Sequence, residues 1–381
     1  MRFLDNPIIS RARFRHLAIL LASCLAGRPA SAQTTQDVRL RVDTVASGLG
    51  IVRSMVFIAD DTALVASHAG QLHLLDVRSG GRAPVTDAPV PVNRGEAGYF
   101  DLALHPSFAT NRQFFLSMAV GGTPPRSTLA VLRGRLAGNA VRDTVTLLRA
   151  AAWDTSSLHY GGQLVAHDGH LFVSIGDRYA RQYPQDMNAH NGKILRIGFD
   201  GSVPRDNPFV GQPGLRPEIW SFGHRNPQGL AFDSTTGIMW ETEHGPRHGD
   251  ELNRIERGRD YGWPRVSWGW EYEGGAIGAG MPTDSISPAP PWIWSPNVVP
   301  TGIHVYSGKA FPAWRGNMLV GTMQALRGQG LVRMAWNGSR IALVEFLLTG
   351  QLGRVRFVTE DANGFIYIGN DSGQVLRIGP A

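Results

Sequence analysis

"VRFVTEDANGFIYIGNDSGQVLRIG", residues 355–379, reads as three short strands separated by turns. An apolar run meets an Asn-Gly turn, a second apolar run meets a glycine-bearing loop, and a third run follows. "QLVAHDGHLFVSIGD" and then "GKILRI" (163–197) repeat the phrase with an insertion. Weaker copies begin at "MVFIADDTALVASHAGQLHLLDV" (55–77), "DLALHPSFATNRQFFLSMAV" (101–120), "GLAFDSTTGIMWETEHG" (229–245) and "GNMLVGTMQALRGQGLVRM" (316–334). One copy alone would leave both faces of a small sheet unburied, whereas a ring of copies buries them against one another. The chain therefore reads as all-β, a six-bladed β-propeller in a single domain with long inter-strand insertions. A β-sandwich is the runner-up, but it would not need so regular a repeat.

The 381-residue chain opens on a different kind of segment. Arg11, Arg13 and Arg15 precede "LAILLASCLAG" and then "ASA" at 30–32, the pattern of an export signal peptide over 1–32. "LASC" at 21–24 offers a rival, a lipid anchor on Cys24. Either way the expected location is periplasmic or secreted, with a propeller catalytic domain over 33–381 and no membrane span. Residues 1–32 hold five Arg and one Asp, so +4 of the net +6 belongs to the leader. The remaining +2 gives little reason to expect nucleic acid as a partner. Lys193 and Lys309 are the only lysines and Cys24 the only cysteine, which excludes disulfides and thiolate chemistry from the mature chain.

Four stretches carry chemistry. In "EHGPRHGDE" (243–251) His244 and His248 stand four apart, as zinc ligands on a helix do, but Gly245, Pro246 and Gly249 argue against a helix. The carbonyls of Gly245 and Pro246 with the carboxylates of Asp250 and Glu251 suit calcium instead; a solvated acidic turn is the alternative. In "SFGHRNPQGLAFD" (221–233), Arg225 and Asn226 sit in extended or turn backbone before Pro227, where a guanidinium can fork onto a carboxylate or quinone oxygen, or merely tie loops together. His159 in "LHYGGQL" (158–164) precedes a Gly-Gly turn and is a candidate general base, or one structural histidine among 12. Arg354 and Arg356 in "GRVRF" (353–357) share a face on a strand and could grip an anion or line a solvated edge. The longest insertion, 260–306, holds Trp263, Trp268, Trp270, Trp292 and Trp294. Most of these read as packing it on the ring, with Tyr272 the better ligand contact. Signatures of a Ser–His–Asp hydrolase, a phosphate-binding glycine loop or a dinucleotide fold do not occur.

Taken together, "GYFDLALHPSF", "GKILRIGFDGSVPRDNPF", "EIWSFGHRNPQGLAFD", "EHGPRHGDELN", "YGWPRVSWGWEY" and "FPAWRGNMLVG" resemble the soluble quinoprotein aldose sugar dehydrogenases of the glucose/sorbosone dehydrogenase group. The resemblance runs from about Val42 to Gly379 and implies a six-bladed propeller that uses pyrroloquinoline quinone (PQQ) and calcium. It implies oxidation of an aldose at the anomeric carbon to a lactone, with electrons passed to an external acceptor. By resemblance His159 is the base, and Arg225, Asn226, Arg354 and Arg356 bind the cofactor. The carbonyls of Gly245 and Pro246 hold the calcium beside it; Glu251 and the Tyr261 carbonyl hold a second, structural calcium; Tyr272 meets the sugar. The chain also departs from the group. Arg327 stands for a cofactor lysine, Glu96 for a substrate glutamine, Leu158 for an aspartate, Gln163 for an arginine and Phe357 for an aspartate. Two rival readings remain: a calcium-dependent propeller lactonase, and a binding propeller without catalysis, which the Glu96, Leu158 and Gln163 departures favour.

Overall fold

In a computed structural model of the chain, residues 33–34, 38–278, 280, 284–324 and 329–381 are described. The expected leader with Cys24, and Arg327, lie outside them.

The hairpin at 167–170 shows how the repeated phrase becomes structure. Asp168 and Gly169 both take positive φ (46° and 74°), so His167 pairs directly with His170 across a two-residue turn. Such a turn matches the twist of the strands that flank it. In the phrase at 355–379 the Asp361 carboxylate accepts the N–H groups of Asn363 and Phe365 (2.9 Å each), closing the turn before Ile366–Asn370.

Repetition of this unit gives six antiparallel sheets, each entered at one edge and built outward strand by strand. The entering strands are Val52–Ala59, Tyr99–Leu104, Gly161–His167, Pro227–Asp233, Pro300–Val305 and Val355–Glu360. Each touches the next, and the last touches the first, so they form the inner wall of a closed ring. Middle strands are sandwiched between blades and are buried on both faces, as in Lys193–Gly198 and Met318–Thr322. The outer strand Ala140–Arg149 is exposed over its centre, as an edge must be. Blades approach closely at the wall: a side chain at Gly302 would meet the Phe357 backbone of the neighbouring blade at 2.9 Å.

Apolar side chains fill the spaces between blades in six clusters. Phe100, Phe115 and Leu171 meet between the second and third blades, and Leu319, Val355 and Ile368 between the fifth and sixth. Phe357, where the resembled group has an aspartate, is buried in the cluster that joins the sixth blade to the first. The ring is closed by strand Arg39–Ala46, which pairs antiparallel with Val375–Pro380 and completes the sixth sheet from the other end of the chain. Among the described residues no helix is long and apolar enough to cross a membrane.

Because every blade begins at the wall, the six entering strands run in the same direction, and their N-terminal ends share one mouth. Glu96, His159, Arg225, Asn226, Arg354 and Arg356 all lie at or just before those ends. The long insertion leaves the fourth blade between Asp250–Ile255 and Trp292–Trp294. Trp263 and Trp294 are buried, but Trp268, Trp270 and Tyr272 are exposed, so the insertion packs through only some of its aromatics.

Candidate active site

His159 sits immediately before the third blade in left-handed backbone (φ 51°), a conformation that non-glycine residues adopt only when their surroundings impose it. Two contacts impose it. The Glu96 carboxylate accepts the His159 backbone N–H at 2.7 Å, and the imidazole Nδ1 lies 2.7 Å from Asp177. Asp177 also accepts the Trp263 indole N–H (2.9 Å) and the Tyr179 backbone N–H (2.7 Å). A carboxylate so placed only accepts, so Nδ1 carries a proton toward Asp177 and Nε2 is the ring nitrogen left for a ligand. The residue is 7% exposed, and a cavity lined by His159, Asp177, Tyr179, Arg181, Arg225 and Trp263 opens beside it.

Arg225 forms the opposite side of that cavity. Its backbone N–H binds Glu243 (2.6 Å), its carbonyl accepts the Asp177 N–H (2.7 Å), and its guanidinium lies 5.4 Å from the Trp263 ring centre. Nη1 donates to the carbonyls of His244 (2.8 Å) and Gly245 (2.7 Å), and Nη2 to the Tyr272 hydroxyl (3.4 Å). Asn226 Nδ2 lies 3.4 Å from His244 Nδ1, and its Oδ1 accepts from Gln228 (3.0 Å). His244 bridges to the fifth blade through the Pro300 carbonyl (2.7 Å). Burial first, then the nearby Arg225, His159 and Arg356, push its imidazole down to about 3, so it stays neutral. His244 and His248 lie in a loop, not on a helix, and His244 Nε2 is taken by the Pro300 carbonyl, so the two do not form the helical zinc pair.

Arg354 and Arg356 converge on Asp371. Arg354 Nε and Arg356 Nη2 each lie 2.8 Å from it, and Arg356 Nε makes a further contact. Arg356 is the more buried of the two.

The stretch 243–251 is not a solvated turn. Asp250 is fully buried and accepts the N–H groups of Gly245 (3.0 Å), Val298 (2.9 Å) and Val299 (2.7 Å), which braces the loop. The two carbonyls expected to hold calcium already accept N–H donors: Gly245 from Arg225, and Pro246 from Asn297 (3.2 Å). Each of these carbonyl oxygens accepts one donor and keeps a second lone pair for a cation. Glu251 belongs to a different arrangement. Glu241, Glu243 and Glu251 point to one side of paired strands, and all three accept from the single Asn253 amide (3.1, 3.2 and 3.3 Å). One amide nitrogen has two hydrogens for three carboxylates. Burial, then repulsion from Glu243, raises Glu241 and Glu251 well above the ordinary carboxylate range, and Glu241 Oε1 has no partner. Tyr261 lines a small cavity with Glu243 and Glu251. Buried carboxylate oxygens with too few donors fit a hard divalent cation, which would take the place of their protons.

A model of the family described as Glucose / Sorbosone dehydrogenase matches residues 49–377. The chain belongs to the glucose/sorbosone dehydrogenase family. Among its relatives is the aldose sugar dehydrogenase YliI of Escherichia coli, 32% identical over 375 residues, covering 95% of this chain and 96% of that protein. The apo-form crystal structure of the soluble aldose sugar dehydrogenase from Escherichia coli superposes with a TM-score of 0.85 at 30% identity, covering 90% of this chain and all of that one. The PQQ-bound aldose sugar dehydrogenase from Streptomyces coelicolor shares the fold, with a TM-score of 0.73 at 24% identity, covering 92% and 99%. Members of the family are oxidoreductases, and this chain is one of them.

Within this family member the structure brings His159, Glu96, Arg225, Asn226, Gly245 and Tyr272 into one hydrogen-bonded network. Glu251 and Tyr261 sit behind it at the acidic cluster, and Arg354 and Arg356 stand at the sixth blade. Sequence reasoning missed Asp177, the indole N–H of Trp263, Asp371 and the pair Glu241 and Glu243. "SIGDR" at the end of strand His170–Ile175 held a signal for Asp177, since that strand runs beside the one His159 precedes.

Proposed function

We propose that the protein is a PQQ- and calcium-dependent aldose sugar dehydrogenase that oxidises the anomeric carbon to a lactone and hands the electrons to an external acceptor. The observation that carries this reading is a fixed imidazole, its Nδ1 held by Asp177 and its Nε2 free, facing a buried guanidinium across one cavity. The PQQ-bound state of the Streptomyces coelicolor neighbour supports the choice of cofactor. So does the donor set, because several arginines around an imidazole suit a planar quinone bearing carboxylates.

PQQ, when bound, takes up the hydrogen and electron pair of the anomeric C–H bond. The protein does the rest. His159 Nε2 receives the proton of the anomeric hydroxyl as the carbonyl of the lactone forms, and Asp177 stabilises the imidazolium. Arg225 and Asn226 would hold the cofactor, the guanidinium supplying positive charge beside it. Arg354 and Arg356 anchor carboxylates. Gly245 and Pro246 remain the candidates for a calcium beside the cofactor, and Glu251 with the Tyr261 carbonyl for a structural one. Glu96 and Tyr272 border the sugar.

The test is reduction of an artificial electron dye by the purified protein with a panel of aldoses. Reduction that requires both added PQQ and calcium supports the reading. Esterase activity on lactones in their absence, without dye reduction, would replace it with the hydrolase.

A further inference from the structure

The residues placed at the mouth above come from the second, third, fourth and sixth blades. The first blade's own contribution is Arg53, second residue of its entering strand Val52–Ala59. Arg53 is 9% exposed, and among the described residues its guanidinium makes no hydrogen bond and no ion pair. Its guanidinium carbon lies 5.8 Å from the centroid of the Phe100 ring.

The acids around it are engaged elsewhere. Asp371 binds Arg354 and Arg356. Asp101 accepts from the Ser54 hydroxyl (2.6 Å) and from the N–H groups of Leu102 (2.8 Å) and Leu164 (2.9 Å). Glu96 holds the His159 backbone. His68, which also feels the Arg53 charge, binds the Gly95 carbonyl through Nε2 (3.2 Å) and leaves a buried Nδ1 without a partner. Burial and the neighbouring Arg356 lower the Arg53 pKa only to about 10, so it stays charged at neutral pH. A buried, unpaired guanidinium destabilises a fold unless a ligand completes it.

We propose that Arg53 binds a carboxylate of the ligand that fills the mouth, acting beside Arg356 as a further anion anchor. This rests on the reading of the mouth as a PQQ and sugar site. The carboxylate belongs either to the cofactor or to an acidic sugar, and the experiment separates the two. Apo wild type, Arg53→Met and Arg53→Lys are titrated with PQQ in the presence of calcium, followed by tryptophan fluorescence, and the apo melting temperatures are recorded.

A cofactor carboxylate predicts that Arg53→Met weakens PQQ binding by about tenfold or more, that Arg53→Lys recovers part of the loss, and that the apo Met variant melts no lower than wild type. A sugar carboxylate predicts unchanged PQQ affinity but a KM for glucuronate raised about tenfold relative to that for glucose. Unchanged affinity and unchanged glucuronate preference overturn the proposal. So does a loss of affinity accompanied by a lower apo melting temperature that lysine does not recover, which marks a structural arginine. Wild type that binds no PQQ overturns the functional reading itself and this proposal with it.

Discussion

At His159 three constraints meet on one residue: left-handed backbone, a carboxylate on its N–H and a second carboxylate on its ring. The account makes His159→Ala an enzyme that binds PQQ normally but turns over about a thousandfold more slowly or worse, read by dye reduction beside a binding titration. Asp177→Asn should keep cofactor affinity and lower kcat by about a hundredfold or more, because an amide can present its NH2 to the imidazole and fix the wrong tautomer. An Asn variant with wild-type kcat would remove Asp177 from the mechanism. His159 itself was legible as an imidazole before a Gly-Gly turn. Asp177 was not, because its partner is 18 residues away and only strand pairing brings them together. Arg354 and Arg356 were legible as a pair, yet Asp371 escaped notice: a carboxylate after the following strand joins them through sheet register, which residue spacing alone does not reveal.

Strands Ile238–Glu243 and Asp250–Ile255 carry the acidic cluster, and their energetics depend on it. Above its ordinary titration range Glu241 ionises in the unfolded chain but holds its proton in the folded one. The folded state then binds more protons, so this group's contribution to stability falls as pH rises. Glu241→Gln lacks that loss. The variant should therefore gain on apo wild type as pH is raised from 5 to 8, and, if the proposed calcium binds at this cluster, calcium should raise the melting temperature of wild type but not of the variant. Calcium stabilisation that survives the substitution would move the cation elsewhere. The sequence pointed to Glu251 and Tyr261, but a cluster assembled from alternate residues on two strands emerges only with their register. Lys193 makes a comparable point in the third blade. Its buried ammonium donates to the carbonyls of Tyr183 (2.8 Å), Pro184 (3.0 Å) and Asn191 (2.9 Å), tying down the loop that begins at Asp177. Lys193→Met strands those carbonyls and should cost about 3 kcal/mol or more in chemical denaturation.

For the whole molecule, the repeat was the most legible feature, because each copy brings its own turn chemistry and its own apolar strands. Closure was less so: nothing in "RLRVDTVA" announces that it completes a sheet begun more than 300 residues later. Deleting strand Arg39–Ala46 should leave the sixth sheet with an open edge and replace one cooperative thermal transition by a broad one. An unchanged sharp transition would show that the ring closes without it. The ring matters because it alone brings Arg53, Glu96, His159, Arg225 and Arg356 from five blades to one mouth. The most direct test is a crystal structure of the protein soaked with PQQ and calcium. The account predicts the quinone at that mouth, its reactive carbonyls between His159 and Arg225 and a carboxylate at Arg356. Density elsewhere on the ring, or a mouth that stays empty at saturating PQQ, would contradict it.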